Sequence, residues 1–207
     1  MDELELLKKD WKNQESGFPK LSYKEIYSMI LKKSSSIVRW IFIISIIEFL
    51  LWASLDIVFR VNGMHSKLGQ PDMSTFSLIA SAVSYSILIY FITRFYLNYK
   101  KIEATDSAKI LMENIIKTRR TVKHYIWVNI GFFILAMIAT IGYILFFTEE
   151  FKNQPTENQP PIWIVLVGAI IFTVVFAGGI ALFYRLIYGI LTRRLKKNYK
   201  ELERLEV

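Results

Sequence analysis

The sequence contains no cysteine, which excludes disulfides, thiolate nucleophiles, zinc ribbons and cysteine-held iron–sulfur clusters. It has only two histidines, His65 and His124. Neither belongs to an H-x-x-x-H or H-E-x-x-H pattern, and the topology read below puts a membrane thickness between them. G-x-S-x-G, P-loop and dinucleotide glycine patterns are absent as well. The residues therefore lead to a non-enzymatic protein with no cofactor and no metal.

Charge is also missing from long stretches of the chain. Hydrophobic residues make up 53% of the 207 positions, and the mean hydropathy of +0.33 is too high for an ordinary soluble domain. The apolar mass is concentrated in four windows of 22 or 23 residues, at 37–59, 76–97, 125–147 and 162–184. Each reaches roughly 33 Å as a helix, enough to cross a hydrocarbon core of about 30 Å. The predicted fold is all-α: an integral-membrane four-helix bundle spanning 37–184, preceded by an uncleaved segment 1–36.

Positive charge is scarce in two of the connecting segments. Of the 26 Lys and Arg residues, 23 lie in the tail up to Arg39, the segment 94–123 and the stretch from Arg185 onward. The other two loops carry only Arg60, Lys67 and Lys152. Because basic residues near a span resist translocation, those three rich regions share one side, and both termini are expected to be cytoplasmic. The net charge of +8 then suits anionic headgroups, at about 1 kcal/mol for each basic residue near the surface, rather than nucleic acid. Trp40, Trp127 and Trp163 fit an aromatic belt.

The cytoplasmic segments read as helical. Leu4, Leu7 and Trp11 recur at helical spacing and predict a short amphipathic helix over residues 3–14, ended by Ser16, Gly17 and Pro19. Ser22 and Glu25 have capping-box spacing, with Leu21 and Ile26 at the staple positions. The helix they start is expected to run toward residues 32–36, lying on the membrane surface or leading into the first span. In the loop 98–124, Ala104, Ala108, Leu111, Ile115, Thr118 and Val122 follow heptad spacing. In the tail 185–207, Leu191, Leu195, Asn198, Leu202 and Leu205 repeat it, with Asn198 able to fix register. Ala108, Leu111, Ile115, Leu195, Asn198 and Leu202 form a candidate interaction seam, to be covered by the facing helix, by lipid or by a partner protein. A turn at 105–107 leaves the second and third helices unequal below the membrane, so part of 98–124 is expected to lie obliquely along the surface.

Glu48 is the candidate polar site. It stands at the middle of the first window, where an ionised acid costs about 2.5 to 3.5 kcal/mol. Asp56 lies on a nearby face, and Ser77, Ser81, Ser84 and Tyr85 of the second window fall at comparable depth, able to hydrogen-bond a protonated Glu48. The favoured role is hydrogen bonding between helices, and the alternative is a proton or ion relay in a small transporter or channel subunit. On the fourth window Ala169, Thr173, Ala177 and Ala181 make a small-residue face, with Gly178 and Gly179 expected to allow close backbone approach. A homo-oligomeric contact would look the same.

Several phrases resemble a family of uncharacterised four-span inner-membrane proteins of Bacteroidota. They are Asp10-Trp11-Lys12, Ser22 with Glu25-Ile26-Tyr27, Lys33 to Ser36 running into Trp40-Ile41-Phe42 and Glu48-Phe49, and the tail Arg193-Arg194 through Asn198-Tyr199-Lys200-Glu201-Leu202. Some relatives bear a carotene-oxygenase name, which implies iron held by four histidines; this chain has two. The resemblance implies a bacterial inner membrane and no established activity. The function expected is an accessory or scaffold subunit whose basic cytoplasmic face binds a partner protein or anionic lipid.

Overall fold

Ser22 opens the first helix. Its backbone N–H donates to Glu25 Oε2 at 2.7 Å while the Glu25 N–H donates to Ser22 Oγ at 3.3 Å, so the capping box closes in both directions. The Ser22 N–H and the Ser22 hydroxyl, which also donates to Glu25 Oε2 at 2.9 Å, hold the Glu25 carboxyl below its usual range. A computed structural model describes Glu5 and residues 22–62, 71–147 and 161–205; of 71–74 and 144–147 it describes the helical backbone alone. The amphipathic segment 3–14 apart from Glu5, its stop at Ser16 to Pro19 and the Leu21 staple lie outside these residues.

The described chain is four helices: α1 Tyr23–Val61, α2 Pro71–Glu103, α3 Ala108–Phe147 and α4 Ile162–Leu205. No strand occurs among the described residues. All four are long and apolar enough to cross a membrane. More than half of Leu50, Trp127, Leu135 and Val174 is exposed, an apolar exterior that suits lipid rather than water.

Each helix is longer than its apolar window. No glycine or proline interrupts residues 22–61, so the capped helix does not lie on the surface as a separate element; it continues unbroken into the first span. α2 packs on α1 and α3, and α4 closes the ring against α3 and α1. The N-termini of α1 and α3 and the C-termini of α2 and α4 share one end, the stem. Tyr27 Oη there donates to the Thr105 carbonyl at 2.9 Å, and Asn198 Nδ2 donates to Ser34 Oγ at 3.0 Å. Among the described Lys and Arg residues, all but Arg60 lie toward this end.

The connection between α2 and α3 answers the length problem without laying a helix flat. Asn98 Nδ2 donates to Thr121 Oγ1 at 3.2 Å, and Asn114 Nδ2 donates to Thr105 Oγ1 at 3.2 Å. Thr105 is therefore level with Asn114, and non-helical residues 105–107 descend past the start of α3 before the Ser107 carbonyl accepts from the Leu111 N–H at 2.9 Å. The expected oblique segment is instead part of the bundle. Its heptad face is buried, except for Ala104, which sits exposed in the turn.

Burial is confined to the stem half. Leu111, Ile115, Leu195 and Leu202 are fully enclosed and belong to one core cluster with Ile30, Val38 and Ile41. Beyond Glu48, Leu88, Tyr125 and Tyr184, no described residue of any helix is buried. The far half is held by sparser contacts, such as the stacked Phe76 and Tyr143 rings with centroids 5.5 Å apart.

Candidate functional site

Where the core ends, Glu48 projects from α1 into a ring of tyrosines. Tyr125 Oη of α3 donates to Glu48 Oε2 at 2.5 Å and Tyr188 Oη of α4 donates to the same oxygen at 3.3 Å. Tyr184 Oη, one turn before Tyr188, donates to Oε1. One carboxylate thus joins three helices, and Glu48 retains 7% of its surface exposed.

Aromatic packing fixes those hydroxyls. The Tyr125 ring meets Phe91, Phe95, Tyr184 and Tyr188 edge to face, with centroids 5.3 to 5.7 Å apart. Edge-to-face pairs put positive ring edges against negative faces, which restrains the ring directions and so the Oη positions. Three phenolic donors satisfy a carboxylate as an acceptor without a neighbouring cation. The arrangement can hold a charge in a largely dry place and can tie helices together.

Asp56, Ser81 and Tyr85 gather in a second cluster, two turns along α1. Asp56 Oδ2 accepts from Arg60 Nε at 3.1 Å and from Tyr85 Oη at 3.0 Å, while Arg60 Nη2 donates to Ser81 Oγ at 3.1 Å. This cluster joins α1 to α2 in the far half. Ser84 is half-buried and joins neither cluster. The second helix therefore serves Asp56, and the hydroxyls expected there for Glu48 come from α3 and α4 instead. Arg60, in the last turn of α1, is a member that sequence reading counted only for topology.

Tyr125 and Tyr188 are the residues that sequence reasoning missed, along with the part Tyr184 plays. Tyr125 is the first residue of the third apolar window and Tyr184 the last of the fourth, whereas Glu48 stands mid-window in the first. Their contact means that the window of α1 is staggered by several residues against those of α3 and α4. The available signal was the i, i+4 pair Tyr184 and Tyr188 on one face of α4.

The seam residues Ala108, Leu111, Ile115, Leu195, Asn198 and Leu202 are all buried within this one chain. Asn198 meets Ser34 of α1, a third helix that heptad spacing in two segments does not reveal. The small-residue face Ala169, Thr173, Ala177 and Ala181 is half-buried and turned inward. Gly178 and Gly179 give no close approach: a Cβ built on either would meet nothing within 4 Å. Both are exposed, on the face away from that stripe.

Gly179 lines a groove between α1 and α4 of about 710 Å³. Its walls are Ile44, Ile47, Leu51 and Trp52 on one side and Val175, Phe176, Ile180, Phe183 and Ile187 on the other, with Glu48 and Tyr184 at its floor. Toward the stem, the same two helices form a cleft of about 520 Å³ lined by Lys32, Lys33, Ser36, Ile37, Arg194, Lys197 and Asn198. No group of three or more His, Asp or Glu residues able to hold a metal occurs among the described residues.

No curated protein and no solved structure matches the chain. A family model described as a domain of unknown function, DUF8845, matches residues 24–207, and the chain belongs to that family.

Proposed function

We propose that this is a non-enzymatic, multi-pass protein of a bacterial inner membrane, an accessory or scaffold subunit whose basic cytoplasmic stem binds anionic lipid headgroups. The observation that carries this reading is the burial of the two heptad seams inside the chain. With its apolar faces consumed by the core, the stem offers its surroundings a charged exterior, to which α1, α2, α3 and α4 all contribute Lys or Arg. Such a surface attracts anionic headgroups and falls silent at high salt. Reconstitution of the full chain in nanodiscs of phosphatidylethanolamine and phosphatidylglycerol, followed by native mass spectrometry of the lipids retained, tests it. Enrichment of phosphatidylglycerol over its bulk fraction is expected. Retention at the bulk ratio would exclude the headgroup role, and an acidic partner protein would then be the remaining occupant of the stem surface.

The second reading, a transporter or channel subunit coupled through Glu48, draws on the position of that acid at the floor of the open groove. An intramembrane carboxylate reached from a groove is where such proteins bind an ion or proton.

A further inference from the structure

We infer that the α1–α4 face holds one anionic phospholipid molecule, its phosphate in the cleft of Lys32, Lys33, Arg194 and Lys197 and one acyl chain in the apolar groove above. This inference rests on the headgroup reading and gives it an address.

Three observations point to this occupant. The first is continuity. Cleft and groove are formed by the same two helices, and Arg194, Lys197 and Asn198 continue the helical face of α4 that carries Phe176, Gly179, Ile180, Phe183 and Ile187. The exposed indole of Trp40 lies between them on α1, where an aromatic belt residue meets the headgroup level.

Charge is the second. Four cationic side chains converge on the cleft, no carboxylate lines it, and none of the four is ion-paired with a described acid. The neighbouring cleft between α1 and α2 also contains Lys32 and Arg39, but Glu103 lines it and lowers its claim on an anion. Glu201, one turn beyond Lys197, leaves the α4 side of the cleft still cationic. Arg194 can offer a phosphate two parallel N–H donors, and the lysines add point charge.

Length is the third. Glu48 lies twelve residues beyond Ser36, roughly 18 Å at 1.5 Å per residue, against about 15 Å for half of a 30 Å hydrocarbon core. A chain from one leaflet, with its phosphate at Ser36, ends near the Glu48 layer. Gly179 lines the groove and presents no side chain to it, and a Cβ built there would meet nothing within 4 Å. A soluble phosphate ester would fill the cleft and leave the groove empty.

Photocrosslinking tests this with the full chain in nanodiscs. The probe is a phosphatidylglycerol carrying a diazirine near the end of one acyl chain, and the label is mapped by peptide mass spectrometry. Label is expected on residues 44–52 and 175–187, with less from a phosphatidylcholine probe bearing the same chain. Lys33→Gln and Arg194→Gln should each lower labelling about five-fold, the equivalent of one surface charge. Gly179→Leu should displace the label from the groove, whereas Lys109→Gln, at the start of α3, should leave it unchanged. Helicity by circular dichroism confirms that each variant is folded. Label spread evenly over four helices, with phosphatidylglycerol still enriched, would overturn the groove and spare the headgroup reading. Loss of enrichment would overturn both. Displacement of the label by glycerol phosphate would make a soluble ester the occupant and end the lipid assignment.

Discussion

The hydroxyl of Tyr125 and the carboxylate of Glu48 stand 2.5 Å apart across 77 positions of sequence. This contact fixes the level of α1 against α3, and Tyr184 and Tyr188 fix it against α4. A displacement of one helical turn along any of the three axes would break it.

Removing the Tyr125 hydroxyl should therefore be felt as a lost charge-assisted bond, with the ring packing kept. Tyr125→Phe is expected to destabilise by about 1.5 to 3 kcal/mol in wild type. The cost should be smaller in a Glu48→Gln background, where the acceptor is neutral. Thermal unfolding in mild detergent across the double-mutant cycle measures the difference. Equal costs in both backgrounds would mean that Glu48 does not depend on this donor.

Glu48→Gln by itself keeps hydrogen-bonding capacity and should leave the protein folded, whereas Glu48→Leu leaves three buried phenols without their acceptor and should cost more. Proton and cation flux into liposomes containing wild type and Glu48→Gln separates the two functional readings. A flux present in wild type and abolished by Gln would establish the coupling role over the structural one.

The buried pair Asn198 and Ser34 should show the asymmetry of a paired polar contact. Asn198→Ala strands the Ser34 hydroxyl and is expected to cost about 1 to 3 kcal/mol. Asn198→Leu combined with Ser34→Ala removes both partners and should come close to wild-type stability. Chemical denaturation of the detergent-solubilised protein reads both.

Core truncations should divide at the Glu48 layer. Leu111→Ala and Leu195→Ala, fully enclosed, are expected to cost about 2 to 5 kcal/mol each. Leu135→Ala, 66% exposed toward lipid, should cost well under that. Comparable losses at all three sites in unfolding midpoints would contradict the half-core.

Topology is open to direct labelling because the chain has no native cysteine. In intact spheroplasts, Ser107→Cys should resist a membrane-impermeant maleimide and Asn62→Cys should react. The reverse pattern would invert the orientation read from the basic residues.

Features that sequence could show are those set by neighbours along one helix. Ser22 and Glu25 are three residues apart, so their capping box is a local event, and the buried positions 111, 115, 118 and 122 follow from heptad spacing alone. The partners of Glu48 depended instead on the relative levels of α1, α3 and α4. Apolar windows give each helix its own zero, and they placed Tyr125 at an edge and Glu48 in a middle. Nothing within a single helix reports that stagger. Depth matching paired the hydroxyls of α2 with Glu48, but Ser81 and Tyr85 go to Asp56, two turns further along α1. The outward-facing glycines of α4 were misjudged for another reason: a small residue invites a neighbouring backbone but does not summon one.

A rod clamped along half its length and free along the rest behaves as a cantilever, with deflection growing away from the last fixed point. α1 is clamped up to Glu48 and runs on to Val61, a lever arm of roughly 20 Å at 1.5 Å per residue. A tilt of about 10° at the tyrosine ring would carry its tip by about 3 Å with the helix itself unbent. The salt-linked pair Asp56 and Arg60 would carry Ser81 and Tyr85 of α2 with it, and the Phe76–Tyr143 stack between α2 and α3 would restrain how far the two move.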